Sequence, residues 1–421
     1  YFLAGKSQNW FVVGSSLFAA SVSSSTLMGH SGEGFISGIA VFNYNVGAIF
    51  VIIFVSLFFL PFYIKSGIYT IPEYLGRRFD NRSRKYFSFI TIIGNVFLDA
   101  GAALYTGALI LKIIFPEIDM MWIIIGMALM AGTYTIIGGL SSAINADMIQ
   151  SIILIAGSVL LSIFCFNSVG GWENFVEHFH DGVWLNLIRP NSDTTVPWFS
   201  IFLSIPILGF YFWGNNQVIV QRVMSAKTVN EGRLGFLFVA FLYVFTLFIF
   251  IAPGMVGRMI DLFGVGDTLH NEIIDGNTLR AQYGIDTNEV YPRLILKLLP
   301  VGLIGVMIAC MVSALTSTLS ATLSSVSTLF TMDFYKSWRP ESSPRHLVRV
   351  GQWTSFIALV VAVLWAPLIG KFASLVAYYQ EFSSYLAPPI VGTFLVGLFW
   401  KGSTRNGAFA GLMSGLAMSA L

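Results

Sequence analysis

Charge is scarce in this 421-residue chain: 23 Lys+Arg and 21 Asp+Glu make up only 10% of it, where a soluble domain carries about 25%. The net charge of +2 offers no basic field to draw nucleic acid, and no such partner is expected. Cysteine is scarcer still. Cys165 and Cys310 both lie in apolar runs, which leaves neither a disulfide framework nor a zinc site. Alternating ten-residue segments, the signature of a membrane β-barrel, are missing too. What abounds is apolar: 56% hydrophobic residues, 15% aromatics, 38 Phe and a mean hydropathy of +0.76. A soluble fold this greasy would expose patches that soluble monomers avoid. The chain reads as an all-α polytopic membrane protein, in which ten or eleven spans of roughly 20 residues would use about half the length.

Apolar runs at 10–29, 41–64, 86–115, 122–137 and 146–166, then 198–221, 234–256, 301–331, 348–369, 375–399 and 408–421, mark eleven spans. Basic residues collect in four connections: Arg77, Arg78, Arg82, Arg84 and Lys85; Arg222, Lys227 and Arg233; Lys336, Arg339, Arg345 and Arg349; Lys401 and Arg405. All four fall on one face if each run crosses once, which assigns that face to the cytoplasm. The long loops 167–197 and 257–300 are then outside. His178 and His180 in the first of these have a spacing seen in some metal sites. No Cys or carboxylate stands in register with them, and they read as solvated loop residues. Tyr1 starts abruptly and Leu421 ends inside an apolar run, so one or more flanking helices are expected.

Two spans are interrupted by small or polar residues. The first carries Ala19-Ala20-Ser21-Val22-Ser23-Ser24-Ser25-Thr26, and the sixth carries Gly209-Phe210-Tyr211-Phe212-Trp213-Gly214-Asn215-Asn216-Gln217. They lie five spans apart, which suggests two halves that each begin with a broken helix. Interrupted segments at matching places in two halves point to a transporter's binding site, because unwound backbone at membrane depth needs a cavity or packed protein beside it. Close helix packing through small residues is the alternative. In the eighth span, Ser313, Ser317, Ser320 and Ser324 share one helical face, suited either to a hard cation that takes oxygen ligands or to back-bonded packing. Asp99, Asp147 and Glu381 lie at membrane depth, where an ionisable residue suggests function. Asp147, near a cytoplasmic end, could equally be solvated.

Four segments together carry a family resemblance: Gly67-Ile-Tyr-Thr-Ile-Pro-Glu-Tyr74, Gly138-Gly-Leu140 with Asp147-Met-Ile-Gln150, Gln217-Val-Ile-Val-Gln-Arg222 and Thr328-Leu-Phe-Thr-Met-Asp-Phe-Tyr335. They resemble the sodium/solute symporter family, closest to its bacterial sodium/galactose and animal sodium/glucose branch, over residues 1 to about 415. The resemblance implies a LeuT-type fold of two inverted five-helix repeats with broken first and sixth helices. These would be residues 1–168 and 198–400, joined by an outside loop 169–197 and followed by an additional span in 401–421. It also implies Na⁺-coupled symport in the cell membrane, with lipid around a monomer or weak homodimer.

By position, the family's sodium site carries over to the carbonyls of Ala19, Val22 and Ala314 with the side chains of Ser317 and Thr318. A second site in some members carries over to Asp147 with Ser317 and Ser320. Ala321 stands where those members have a third hydroxyl, which leaves one or two Na⁺ per cycle open. The sugar site departs from the galactose and glucose pattern, with Asn45 for a glutamate, Tyr243 for a lysine, Gly209 for an asparagine and Phe212 for a lid tyrosine. Tyr44 and Gln380 match. Ser21, Ser23 and Thr26 look more like the sialic-acid branch, which carries an arginine where this chain has Asp99. The candidate solute set is therefore Ser23, Thr26, Tyr44, Asn45, Asp99, Phe212, Tyr243 and Gln380. Its amide, hydroxyl and aromatic groups suit a neutral sugar or polyol; sialic acid, another organic acid or an amine-bearing solute is the alternative. A channel would want a continuous polar pore. An enzyme would want a convergent nucleophile and base, which the spans lack. A solute sensor on the same fold stays open.

Overall fold

The computed structural model describes residues 6–180, 182–193, 195–265, 273, 276–372 and 375–419. The first run begins where Asn9 caps it, its side chain accepting from the Val12 N–H at 3.0 Å and so satisfying one orphan donor of the helix start. Helix Trp10–Ser21 stops at Val22, and a second helix, Ser24–Ser37, takes over after Ser23. The first span is thus broken inside the Ser-rich stretch. Gly38 ends it at φ +72°, a conformation that a residue with a Cβ adopts only at a cost. The second span follows as Phe42–Phe54, a π-helical turn Val55–Phe59, and Leu60–Ser66.

Packing against the seventh span fixes the directions of these two. That span consists of Val229–Val244, a π turn Leu247–Ile251 and Ala252–Met259, bent by 42°. Gly14 lies against Gly235 and Ser21 hydrogen-bonds Tyr243, so the first span runs parallel to the seventh. Asn45 donates to Thr246 and Leu60 lies against Gly232, so the second runs antiparallel. The first and seventh touch backbone to backbone at both ends. A Cβ on Gly14 would sit 2.8 Å from the Gly235 carbonyl oxygen, and one on Gly254 would sit 2.0 Å from that of Ser31. Small residues are what allow such approach.

The third span, Asn81–Gly94 and Gly101–Ile114, contains a π turn at Asn95–Ala100. Residues Met120–Ser168 are helical throughout, where the sequence suggests two spans. They do not form one rod. Met127 and Leu315 flank Gly107, while Asp147 hydrogen-bonds Ser317, yet 20 residues of straight helix would separate residues 127 and 147 by about 30 Å. Further on, Gly157 lies against Met307 and Cys310, so the second arm runs antiparallel to the eighth span. The segment doubles back, and two crossings are retained.

The sixth span is the most interrupted: Trp198–Phe202, Ser204–Phe210, a π turn Tyr211–Asn215, extended Asn216, then Gln217–Val223. The eighth runs Val301–Leu329 and on through a π turn to Trp338. The ninth, tenth and eleventh are Pro344–Trp365, Leu375–Phe399 and Arg405–Ser419. Among the described residues, seven helices are long and apolar enough to cross a membrane, or eight with the bent seventh. The break divides the first span in that count: Trp10–Ser21, with 12 residues, is too short, and Ser24–Ser37 is counted with the second span as Ser24–Ser66. Exposed Phe50, Trp122 and Trp353 face outward, as lipid requires.

A short helix, Ile71–Arg78, ties three spans together on the basic face. Gln217 accepts from the Ile71 N–H at 2.9 Å and donates to the Tyr69 carbonyl at 3.1 Å. Thr70 donates to Asp333 at 2.9 Å, and Arg78 donates to the carbonyls of Gly397 and Trp400 at 2.9 and 3.0 Å. Two arginines that the sequence assigns to loops turn inward. Arg84 pairs with buried Asp333 at 2.6 Å, and Arg222 is itself buried.

Candidate functional site

Both helix breaks open on one cavity of about 280 Å³ between the first, second, third, sixth, seventh, eighth and tenth spans. At the first break the polar backbone is recapped locally. Ser23 has extended backbone and its hydroxyl accepts from the Thr26 N–H at 3.3 Å, the usual chemistry of a helix start. The same hydroxyl lies 2.7 Å from that of Ser25, and Thr26 donates to the Ser21 carbonyl at 3.2 Å. On the other side of the break, Ala19 lies in the last turn of its helix, where carbonyls lack partners within the helix. At the sixth-span break Asn216 accepts from the Val218 N–H at 2.8 Å, and Tyr63 donates to the Gly214 carbonyl at 2.8 Å.

All eight residues of the candidate solute set line this cavity: Ser23, Thr26, Tyr44, Asn45, Asp99, Phe212, Tyr243 and Gln380. Two pairs are pre-organised. Gln380 donates to the Tyr44 hydroxyl at 2.8 Å, and Asn45 donates to Thr246 at 2.8 Å. Trp213 stands edge-on to Tyr243, ring centroids 5.4 Å apart, and to Phe212 at 5.3 Å. Asp99 sits on the π turn of the third span, and Tyr379 supplies it with a hydrogen bond while also bonding Ser25. No lysine or arginine is among the described residues that line the cavity. Glu381, beside Gln380, is exposed and does not line it.

Tyr379, Tyr211, Trp213, Asn216, Asn95 and His30 also line the cavity, and sequence reasoning left them out of the solute set. Tyr379 precedes Gln380, and Asn216 sits in the Gly-Asn-Asn-Gln run, so proximity to chosen residues was the available signal. His30 offered none beyond its own polarity. Its Nδ1 lies 3.1 Å from the Thr26 carbonyl.

On the eighth span, Thr318 faces the cavity and donates to the Ala314 carbonyl at 3.1 Å. Ser317, one residue earlier, donates to Asp147. Asp147 is buried rather than solvated. Its other oxygen takes Arg222 Nη2 at 2.8 Å, Arg222 Nε at 3.2 Å and the Ser16 hydroxyl at 3.0 Å. Ser320 is buried nearby along the helix, its hydroxyl without a partner among the described residues.

The model for the sodium:solute symporter family matches residues 1–415. The rat protein "Solute carrier family 5 member 4" is 33% identical over 99% of this chain and 65% of its own length. The human "Sodium/myo-inositol cotransporter 2" is 34% identical over 99% of this chain and 64% of its own. The chain thus spans just under two thirds of these relatives. The "Sodium/glucose cotransporter" of Vibrio parahaemolyticus is 34% identical over 99% of this chain and 78% of its own length. Among solved structures, a substrate-bound, outward-open Na⁺-coupled sialic acid symporter superposes with a TM-score of 0.81 at 22% identity, covering 100% of this chain and 91% of that one. Mhp1, a nucleobase-cation-symport-1 family transporter, gives 0.59 at 12% identity, covering 99% and 92%. At these identities the superpositions speak for the fold, which is the LeuT type.

Proposed function

Because the chain belongs to the sodium:solute symporter family, we propose that it imports a small neutral polyhydroxyl solute, a sugar or polyol, together with Na⁺ by alternating access. The observation that carries this is the single cavity at both helix breaks, lined by all eight candidate solute residues and by Thr318. Residues 1–168 and 198–400 are the two repeats that would rock against each other, with 169–197 as the outside connection and 401–421 outside the repeats. Amide and hydroxyl groups donate and accept, which matches a ring of hydroxyls without net charge. Asp99, with no lysine or arginine beside it, disfavours a carboxylated solute. The same carboxylate supports a second reading, an amine-bearing solute held through its ammonium group.

Na⁺ would bind between the first break and the eighth span, at the carbonyls of Ala19, Val22 and Ala314 and the hydroxyls of Ser317 and Thr318. A hydroxyl that gives its proton to a neighbour keeps oxygen lone pairs for a cation. Ser317 gives its proton to Asp147 and Thr318 to Ala314. Asp147 thereby orients a ligand of this site. As a second sodium site, with Ser317 and Ser320, it would have to compete with the Arg222 guanidinium already on its carboxylate. We therefore read the stoichiometry as one Na⁺ per solute.

Uptake into proteoliposomes tests the reading, using sugars, polyols, amino sugars, amino acids and sialic acid with Na⁺ or choline outside. Na⁺-dependent accumulation of a neutral polyol or sugar is expected. Equal accumulation with choline would remove Na⁺ coupling. If Asp99→Asn abolishes transport while Asn45→Ala and Gln380→Ala leave it intact, the neutral-solute pocket is wrong and the amine reading stands.

A further inference from the structure

On the face opposite the basic loops, a groove of about 600 Å³ lies between the end of the third span and helix Val290–Leu298. Its apolar floor includes Ile113, Leu262 and Leu296, and Lys112, Arg293 and Lys297 form its rim. Among the described residues that line it, Glu289 is the one acid, and it is committed to Arg293 at 2.7 Å. Backbone carbonyls hold the two ammonium groups in place. Lys112 Nζ donates to Pro116 and Ile118 at 2.6 and 2.8 Å, and Lys297 Nζ donates to Ile260 at 3.4 Å. Carbonyls orient an ammonium but do not cancel its charge. Glu117 and Asp119 follow in the same connection without lining the groove. Among the described residues that line the groove, three cations thus face one acid.

The groove lies at the level of the membrane surface. Lys112 precedes the end of the third-span helix at Ile114, and Lys297 comes four residues before Val301, where the eighth begins. Around it Phe115, Ile118, Trp122, Leu296 and Val301 are exposed, a collar that water would disfavour and lipid accepts. A cationic rim over an apolar floor and collar at interface depth matches a phosphate headgroup with its acyl chains. We propose that this groove binds an anionic phospholipid, its phosphate on Lys112, Arg293 and Lys297 and its acyl chains over the apolar floor at Ile113 and Leu296 and the exposed collar beside it. A zwitterionic headgroup would bring its own ammonium to a rim whose one carboxylate among the described residues is already taken. The inference does not depend on which solute is carried.

Native mass spectrometry and thermal melts of the whole purified chain, titrated with phosphatidylglycerol or phosphatidylcholine, test it. The variants Lys112→Gln/Lys297→Gln and Lys297→Gln leave the Glu289–Arg293 pair intact. Phosphatidylglycerol is expected to be retained in preference to phosphatidylcholine and to raise the melting temperature. Each cation removed should weaken retention roughly fivefold, the equivalent of about 1 kcal/mol per basic residue at a charged membrane surface. Equal retention of the two lipids, or an unchanged preference in the double variant, would overturn the proposal. Reproduction of the melting shift by inorganic phosphate alone would also overturn it, by making this an anion site. Should the double variant fail to fold, the exposed Lys297→Gln change decides by the same criterion.

Discussion

A carboxylate and a guanidinium enclosed together, each side chain 1% exposed, make Asp147 and Arg222 depend on each other. Removing one partner of a buried pair leaves an uncompensated charge, at about 3–5 kcal/mol. Asp147→Ala and Arg222→Ala should each strip most folded protein from a detergent-solubilised preparation, as read by size-exclusion yield and melting temperature. Asp147→Asn/Arg222→Gln, which keeps hydrogen-bonding groups in both places, should recover much of the loss. A double variant no better than the singles would refute the dependence. At the proposed sodium site, Ser317→Ala and Thr318→Ala should each raise the Na⁺ concentration for half-maximal uptake; Thr318→Ala should leave the melt nearly unchanged, while Ser317→Ala, which takes a donor from buried Asp147, should also lower it by the equivalent of about 1–3 kcal/mol. Equal loss of folded protein in both would favour a packing role. For the solute, Gln380→Ala leaves Tyr44 without its donor and Asn45→Ala leaves Thr246 without its donor. Each should raise the half-saturating solute concentration roughly tenfold, at about 1–3 kcal/mol for a buried polar group left unpaired. Unchanged solute kinetics would take these two residues out of the pocket.

Secondary elements carry a different sensitivity, set by how closely backbones approach. Gly254→Val would drive a Cβ against the Ser31 carbonyl, which flexible side chains cannot relieve, at a cost above the roughly 1–3 kcal/mol of ordinary overpacking. Gly302→Ala, with nothing within 4 Å of its Cβ, should melt like the parent. A Gly254→Val protein as stable as the parent would mean that the first and seventh spans separate at little cost. Much of the element plan was legible beforehand. Ser-rich and Gly-Asn-rich runs in otherwise apolar spans located both breaks, because such residues favour caps and unwound backbone over helix interiors. The π turns were not legible. Asn95–Ala100 and Tyr211–Asn215 are composed like the helix around them, and each shifts the angular position of everything beyond it. A helical wheel drawn through Asp99 therefore could not have brought it to Tyr379. Nor could loop composition distinguish Arg222 and Arg84, which turn inward, from the basic residues that stay in solvent.

For the molecule as a whole, the prediction is thermodynamic. One Na⁺ moving down 100 mV releases about 2.3 kcal/mol, and a tenfold gradient adds about 1.4 kcal/mol. Together these could sustain roughly 500-fold accumulation of a neutral solute at one-to-one coupling. Uptake should rise with Na⁺ along a hyperbola; a sigmoid would reinstate a second sodium at Asp147. The tie-point at Ile71–Arg78 has a kinetic consequence. Its hydrogen bonds reach the sixth span through Gln217, the eighth through Thr70 and the tenth through Arg78. Anything that parts the inner ends of these spans must release several of those bonds in one event. The basic face would then behave as a switch, shut or thrown, with few half-open states through which ions could slip uncoupled. Turnover would show a steep dependence on temperature, and idle leakage a low ceiling.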